Sequence, residues 1–187
     1  LGTNYTTKSG IVVKIETLRF YVSQLQLKHN GKPVWVEENS YHLVDISDSG
    51  SLQASIPESI VFDEVSFLLG TDSLTNVSGA MGDDLDPTKG MYWAWNSGYI
   101  NFKLEGTSPD CATRNNQFIF HLGGYAYPNA TVQAVSLTGK DSTIILDLKA
   151  FLEGLDLKEM SSIMSPGKDA VALSNKAANL FRMKDAK

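Results

Sequence analysis

The sequence predicts a mainly β fold, an antiparallel Greek-key β-sandwich with a C-terminal amphipathic helix. Short apolar segments with strand-like alternation recur along the chain, and turn residues separate them. The 187 residues suffice for one core without covalent staples, and the single cysteine, Cys111, excludes an intramolecular disulfide. The pattern becomes helical near the end, so we expect one domain over 1–187 with 156–187 as a helical extension packed on it.

The first half of the chain predicts strands that turn signals separate. The apolar segment from Ile11 to His29 is too long for one ordinary strand, so we expect a break near 16–18. Asn30-Gly31 is a strong two-residue hairpin signal. The strands predicted here are 11–15, 19–28, 33–36, 41–46 and 60–69.

The second half continues this pattern and then changes. Alternation predicts strands over 99–105, 117–122, 131–137 and 143–148, with a hairpin joining the last two. Ser165-Pro166 is typical of a helix start. Apolar residues then recur at helical spacing, namely Ala170, Leu173, Ala177, Leu180 and Phe181.

The segment from Met91 to Tyr99 is the densest aromatic stretch of the chain. A polar loop over 70–89 precedes it, and loops longer than about 12 to 15 residues are commonly functional or disordered. Acidic residues near 83–86 lack the spacing of a calcium loop, so we interpret them as a solvated turn. Aromatic clusters are more often core than site, and both interpretations stay open here.

Composition and motifs exclude several classes of function. The net charge of −5 argues against nucleic acid as a partner, since phosphate binding needs clustered cations. No apolar run is long enough to predict a transmembrane segment. The chain opens at Leu1 without a signal peptide, so we expect a mature or trimmed form, and a lipid anchor upstream is compatible with it. No nucleophile paired with an acid or base is evident, so we do not expect an enzyme.

The three histidines are the candidates for metal binding. His29 adjoins a turn and is expected to be exposed and structural. His42 and His121 each lie mid-strand among apolar neighbours, where a histidine is either a hydrogen-bonded core residue or a ligand. The sequons at Asn4, Asn76 and Asn129 predict surface positions.

Five sequence segments, taken in order, resemble a known bacterial family. These are Phe20-Tyr21-Val22-Ser23, then 41–47, then Gly90-Met91-Tyr92-Trp93-Ala94-Trp95 with Ser97-Gly98-Tyr99, then Phe120-His121-Leu122-Gly123, and Ile163-Met164-Ser165-Pro166-Gly167 before an Ala-rich helix. In that order they resemble the MbnP-like copper-binding proteins associated with methanobactin gene clusters. The resemblance covers nearly the whole chain.

The resemblance implies an extracytoplasmic copper protein, periplasmic, attached to the outer membrane or extracellular. It implies His42 and His121 as imidazole ligands and Trp93 or Trp95 as a tryptophan oxidised to kynurenine by a dihaem peroxidase-like partner. Met91 is a possible soft ligand for Cu(I) or a gap-filling core residue. In the family's kynurenine sites the modified tryptophan stands two residues before a ligand histidine, and Trp95 occupies that position here.

A second function competes with copper binding. The aromatic residues of the Met91 to Tyr99 segment predict a platform for a sugar or a peptide in a metal-free binding module. That function needs tryptophans exposed to solvent, whereas the copper site needs His42 and His121 close together. The two hypotheses therefore make different demands on the structure.

Overall fold

A computed structural model describes residues 1–184 and confirms the mainly β class. Over these residues the strands are β1 (Asn4–Thr6), β2 (Val12–His29), β3 (Lys32–Val36), β4 (Tyr41–Asp45), β5 (Glu64–Leu69), β6 (Tyr92–Trp93), β7 (Gly98–Thr107), β8 (Gln117–Gly123), β9 (Gln133–Thr138), β10 (Ile144–Leu146), β11 (Ser162–Ile163) and β12 (Phe181–Met183). The α-helices are α1 (Ser73–Val77), α2 (Leu148–Leu152) and α3 (Lys168–Ala178). Short 3-10 turns lie at Ser49–Leu52, Asp83–Leu85, Pro87–Lys89 and Arg114–Asn116.

Strand β2 is the centre of the fold. Within the described part of the chain it pairs antiparallel with five strands, β1, β3, β4, β5 and β7. The predicted break near 16–18 is wrong, because the segment is one strand with register shifts at Glu16 and near Gln24. A β-bulge adds a residue and shifts the alternation, which imitates an interruption in the sequence pattern.

The sheet runs in the order β11-β8-β7-β2-β5-β9, and β10 pairs with β12 separately. These pairings are antiparallel except for β11, which runs parallel to β8. The Asn30-Gly31 hairpin and the strand beginning at Tyr41 are confirmed. The hairpin predicted between 131–137 and 143–148 is wrong, since β9 pairs with β5 and β10 with β12. The Greek-key connectivity stays a prediction.

The two faces of the central sheet carry different clusters. On the face that we call the core face, Phe20, Phe102 and Phe120 belong to the large hydrophobic core. On the opposite face, which we call the outer face, Tyr21 and Tyr99 belong to a smaller cluster with Met91 and Trp93. Successive strand residues point to opposite faces, so β2, β4 and β7 contribute to both clusters.

The C-terminal segment closes the large core. Ala170, Leu173 and Ala177 of α3 are buried in it, which confirms an amphipathic helix. Phe181, which the spacing assigned to the helix, lies instead in β12 and packs edge-on against Phe20 and Phe67. The predicted extension over 156–187 thus contributes strands as well as a helix, and its residues 185–187 lie outside the described part.

None of the helices in residues 1–184 has the length and apolar character needed to cross a membrane. Cys111 is a free, buried thiol of the core, and its burial raises the pKa of that thiol.

Candidate functional site

The aromatic segment forms a tight hairpin on the outer face. Strand β6 pairs with the start of β7, with Tyr92 opposite Tyr99 and Trp93 opposite Gly98. The turn is closed by the Asn96 N–H, which donates to the Trp93 carbonyl at 3.2 Å, and Ser97 has a positive φ of 47°. We call residues 91–99 the aromatic hairpin.

The aromatic hairpin buries some of its large side chains and exposes one. Met91 is fully buried and Trp93 is 6% exposed, whereas Trp95 is 65% exposed. The two indole rings lie 5.4 Å apart. Trp93 lies directly over Gly123 of β8, because a Cβ added to that glycine would be 2.7 Å from Trp93 Cζ3. The glycine therefore allows the indole to approach the sheet.

A buried asparagine supports the aromatic hairpin from below. Asn76 Oδ1 accepts from the Tyr99 backbone N–H at 2.7 Å, and Asn76 Nδ2 donates to Thr71 Oγ1 at 2.9 Å and to the Asp72 carbonyl at 2.8 Å. Asn76 is 2% exposed, so its predicted surface position is wrong. Its side chain replaces the backbone partner that a further strand would supply to β7.

Two cationic side chains bind backbone carbonyls just before the aromatic hairpin. Arg19 Nη1 donates to the Lys89 carbonyl at 2.9 Å, and Lys103 Nζ donates to the Gly90 carbonyl at 3.2 Å. The preceding acidic loop is tied down as well. Asp84 Oδ2 accepts from the Leu43 N–H at 3.0 Å and Asp84 Oδ1 pairs with Lys89 Nζ at 2.7 Å.

His121 lies on the outer face of β8, opposite Lys103 of β7. It is 8% exposed, and its Nε2 lies 2.7 Å from Glu105 Oε1. The hydrogen bond from His121, together with the Lys103 charge and a bond from Thr17, lowers the pKa of Glu105 from 4.5 to about 2. Among the described residues no group forms a hydrogen bond with the second ring nitrogen, His121 Nδ1. This nitrogen is in contact with solvent rather than sealed in the protein.

His42 lies on the core face of the sheet, at its β4 edge. It pairs with Val22, which packs against the large core, and the next pair on this face, Phe20 and Val44, lies in or against the same core. Its Nε2 lies 2.6 Å from Glu37 Oε2. This contact is of the same kind as that of His121 with Glu105, but it lies on the core face, opposite to the aromatic hairpin.

The structure therefore separates the two predicted imidazole ligands. His42 and His121 lie on opposite faces of the sheet. Their strands, β4 and β8, are separated by β2 and β7, so they lie about 14 Å apart at about 4.8 Å per strand. Residues 1–184 contain no group of three His, Cys, Asp or Glu side chains placed to hold a metal ion. A copper ion shared by both histidines does not fit this arrangement.

The outer face does bring other predicted residues together. Trp93 covers Gly123, which is two residues beyond His121 on the same face of β8. Met91 packs with Trp93 in the outer cluster, and the exposed Trp95 ring lies beside that of Trp93 with a tilt of 39° between the two planes. Sequence reasoning missed Glu105, although its alternation with Lys103 already placed both side chains on one face.

Comparisons with known proteins identify related chains. The family model described as MbnP matches residues 1–165. Among solved structures, MbnP from Methylosinus trichosporium matches with a TM-score of 0.58 and 14% identity, over 89% of this chain and 75% of that one. Comparison with curated protein sequences gives no match. The structural match at this identity demonstrates a shared fold.

Proposed function

Because the chain belongs to the MbnP family, we propose that it is an extracytoplasmic copper-handling protein that binds the metal rather than catalysing a reaction. We place the copper contact on the outer face, at His121 beside Trp93. The observation that carries this placement is that the Trp93 indole covers Gly123, two residues from His121 on the same face.

The chemistry of His121 suits a ligand. A metal-binding histidine commonly donates its other ring nitrogen to a carboxylate, which fixes the tautomer and the ring orientation. Glu105 is ionised at neutral pH because its pKa lies near 2, and it accepts from His121 Nε2. That bond leaves the Nδ1 lone pair available to a metal ion.

The aromatic hairpin gives this contact an apolar wall. Trp93 and Met91 are buried apolar side chains of this hairpin. By resemblance, Trp95 stands where the family's kynurenine sites have a ligand histidine. We therefore propose a site with one imidazole from the described chain rather than two. Of the two tryptophans, solvent reaches Trp95, so Trp95 is the residue that we propose as accessible to an oxidising dihaem partner.

Copper titration of matched histidine variants tests the placement. We expect His121→Ala to lose copper binding and His42→Ala, on the opposite face, to keep it. Circular dichroism would show that both variants retain the fold. Unchanged copper affinity in His121→Ala would refute the site, and equal losses in both variants would refute the separation of the two histidines.

The exposure of Trp95 favours one alternative, a metal-free module that binds a sugar or a peptide. Burial of Trp93 reduces the predicted platform to a single exposed indole. This function requires that Trp95→Ala abolishes binding to a glycan array or peptide library while copper affinity stays unchanged. Absence of any ligand for the wild-type protein would exclude it.

A further inference from the structure

The short edge strand β11 brings a methionine next to His121. In its parallel pairing with β8, Ser162 lies opposite Ile119 and Ile163 opposite Phe120. Strand β11 ends at Ile163, and Met164 follows it directly. Continuing the register by one residue places Met164 beside His121, at the spacing of about 4.8 Å between neighbouring strands.

A second contact fixes the chain beyond the methionine. A Cβ added to Gly124 would lie 3.0 Å from Pro166 Cβ, so Pro166 packs against the end of β8. Met164 is thus bracketed between the Ile163 pairing and the Pro166 contact. The segment follows β8 on both sides of His121.

Alternation places the methionine on the same face as the histidine. Ile163 packs against the large core, as does its partner Phe120. His121, the next residue of β8, lies on the opposite, outer face, and continuing the alternation one residue beyond β11 places Met164 on that face as well. Met164 is 48% exposed there, and its thioether is not required by the core.

We propose that Met164 supplies a thioether ligand to copper beside His121 Nδ1. The inference rests on the proposed copper function of His121 and adds a ligand to it. Thioether sulfur is a soft donor that selects Cu(I), whereas imidazole binds both copper oxidation states. A single imidazole thereby gains the second donor that His42 cannot supply from the opposite face.

The surroundings of the pair are apolar on one side and hold a bound cation, Lys103, on the other. Trp93 brings the Cζ3 and Cη2 edge of its indole to Gly123, at the end of β8. The neighbouring Lys103 charge is directed to Glu105, at 3.6 Å, and to the Gly90 carbonyl. Two protein donors leave copper accessible to a partner, which is appropriate to a protein that hands the metal on.

The test compares Cu(I) and Cu(II) binding in the intact protein, with Cu(I) measured anaerobically against a chromophoric chelator. We expect Met164→Leu, which keeps the side-chain volume, to weaken Cu(I) binding at least tenfold and to leave Cu(II) affinity unchanged. The control is Met81→Leu, because Met81 has a similar exposure of 44% but lies in the loop beside Tyr99. Copper-edge X-ray absorption should show a sulfur scatterer in the wild type and none in Met164→Leu.

The outcomes separate the two proposals. If Met164→Leu binds Cu(I) like the wild type while His121→Ala does not, the thioether ligand is refuted and the copper function stands. If His121→Ala also binds Cu(I) like the wild type, the proposed copper site itself is refuted.

Discussion

Replacing Glu105 by glutamine isolates the charge that orients His121. The amide keeps an oxygen that accepts from His121 Nε2, so the hydrogen bond at 2.7 Å has a neutral counterpart. What is lost is the carboxylate charge, which lies within 3.6 Å of Lys103 Nζ. We expect the variant to fold and to be less stable at neutral pH.

The magnitude follows from the pKa of Glu105, which falls from 4.5 to about 2 in the folded protein. Each unit is about 1.4 kcal/mol, so the upper bound is between about 3 and 4 kcal/mol, and solvent screening reduces it to about 1 to 2 kcal/mol. Because the folded pKa is the lower one, this stabilisation is present above the unfolded value. It disappears as the pH falls from about 5 to about 2.

Urea unfolding at a series of pH values measures the effect. The free energy of unfolding of Glu105→Gln should lie below that of the wild type at pH 7, and the two should converge near pH 2. Glu16→Gln is the control, because that carboxylate is exposed and its ion pair is with Lys14, at 3.4 Å. A difference that is absent at pH 7, or that has the same size at pH 2, would contradict the reasoning.

Two further substitutions probe the support of the aromatic hairpin by urea unfolding. Gly123→Ala should cost about 1 to 3 kcal/mol, because its Cβ would lie 2.7 Å from both Trp93 Cζ3 and the Tyr99 carbonyl, whereas Gly82→Ala enters open space and should be neutral. Asn76→Ala should lower the free energy of unfolding by about 2 kcal/mol or more, because it leaves the buried Tyr99 amide unpaired. A decrease below about 0.5 kcal/mol would contradict this and show that water replaces the Asn76 side chain.

Local signals predicted the local elements. Asn30-Gly31 determines its hairpin because the turn conformation depends on the two residues themselves. The break expected near 16–18 rested on the length of the segment, whereas the structure keeps one long strand with a bulge at Glu16. Phe181 satisfied the helical spacing after Ala177, yet its pairing with Leu146 gives it a strand conformation.

The candidate site depended on contacts between distant segments. Alternation within a strand shows which residues share a face, but not which face of the sheet that is. His42 and His121 were therefore indistinguishable in sequence, although pairing with Val22 and with Lys103 sends them to opposite faces. Met164 was missed for the same reason, because its neighbour is determined by a parallel pairing of residues over 40 positions away.

The five partners of β2 have a consequence for the order of folding. Its pairing with β3 closes a turn of a few residues, whereas its pairing of Lys14 with Thr107 closes a loop of more than 90 residues. Loop closure costs entropy before distant contacts repay it, so the β2–β3 hairpin should form early and β7 should dock late. In denaturant-jump kinetics, substitutions in the hairpin should slow refolding, and those in β11 should mainly accelerate unfolding.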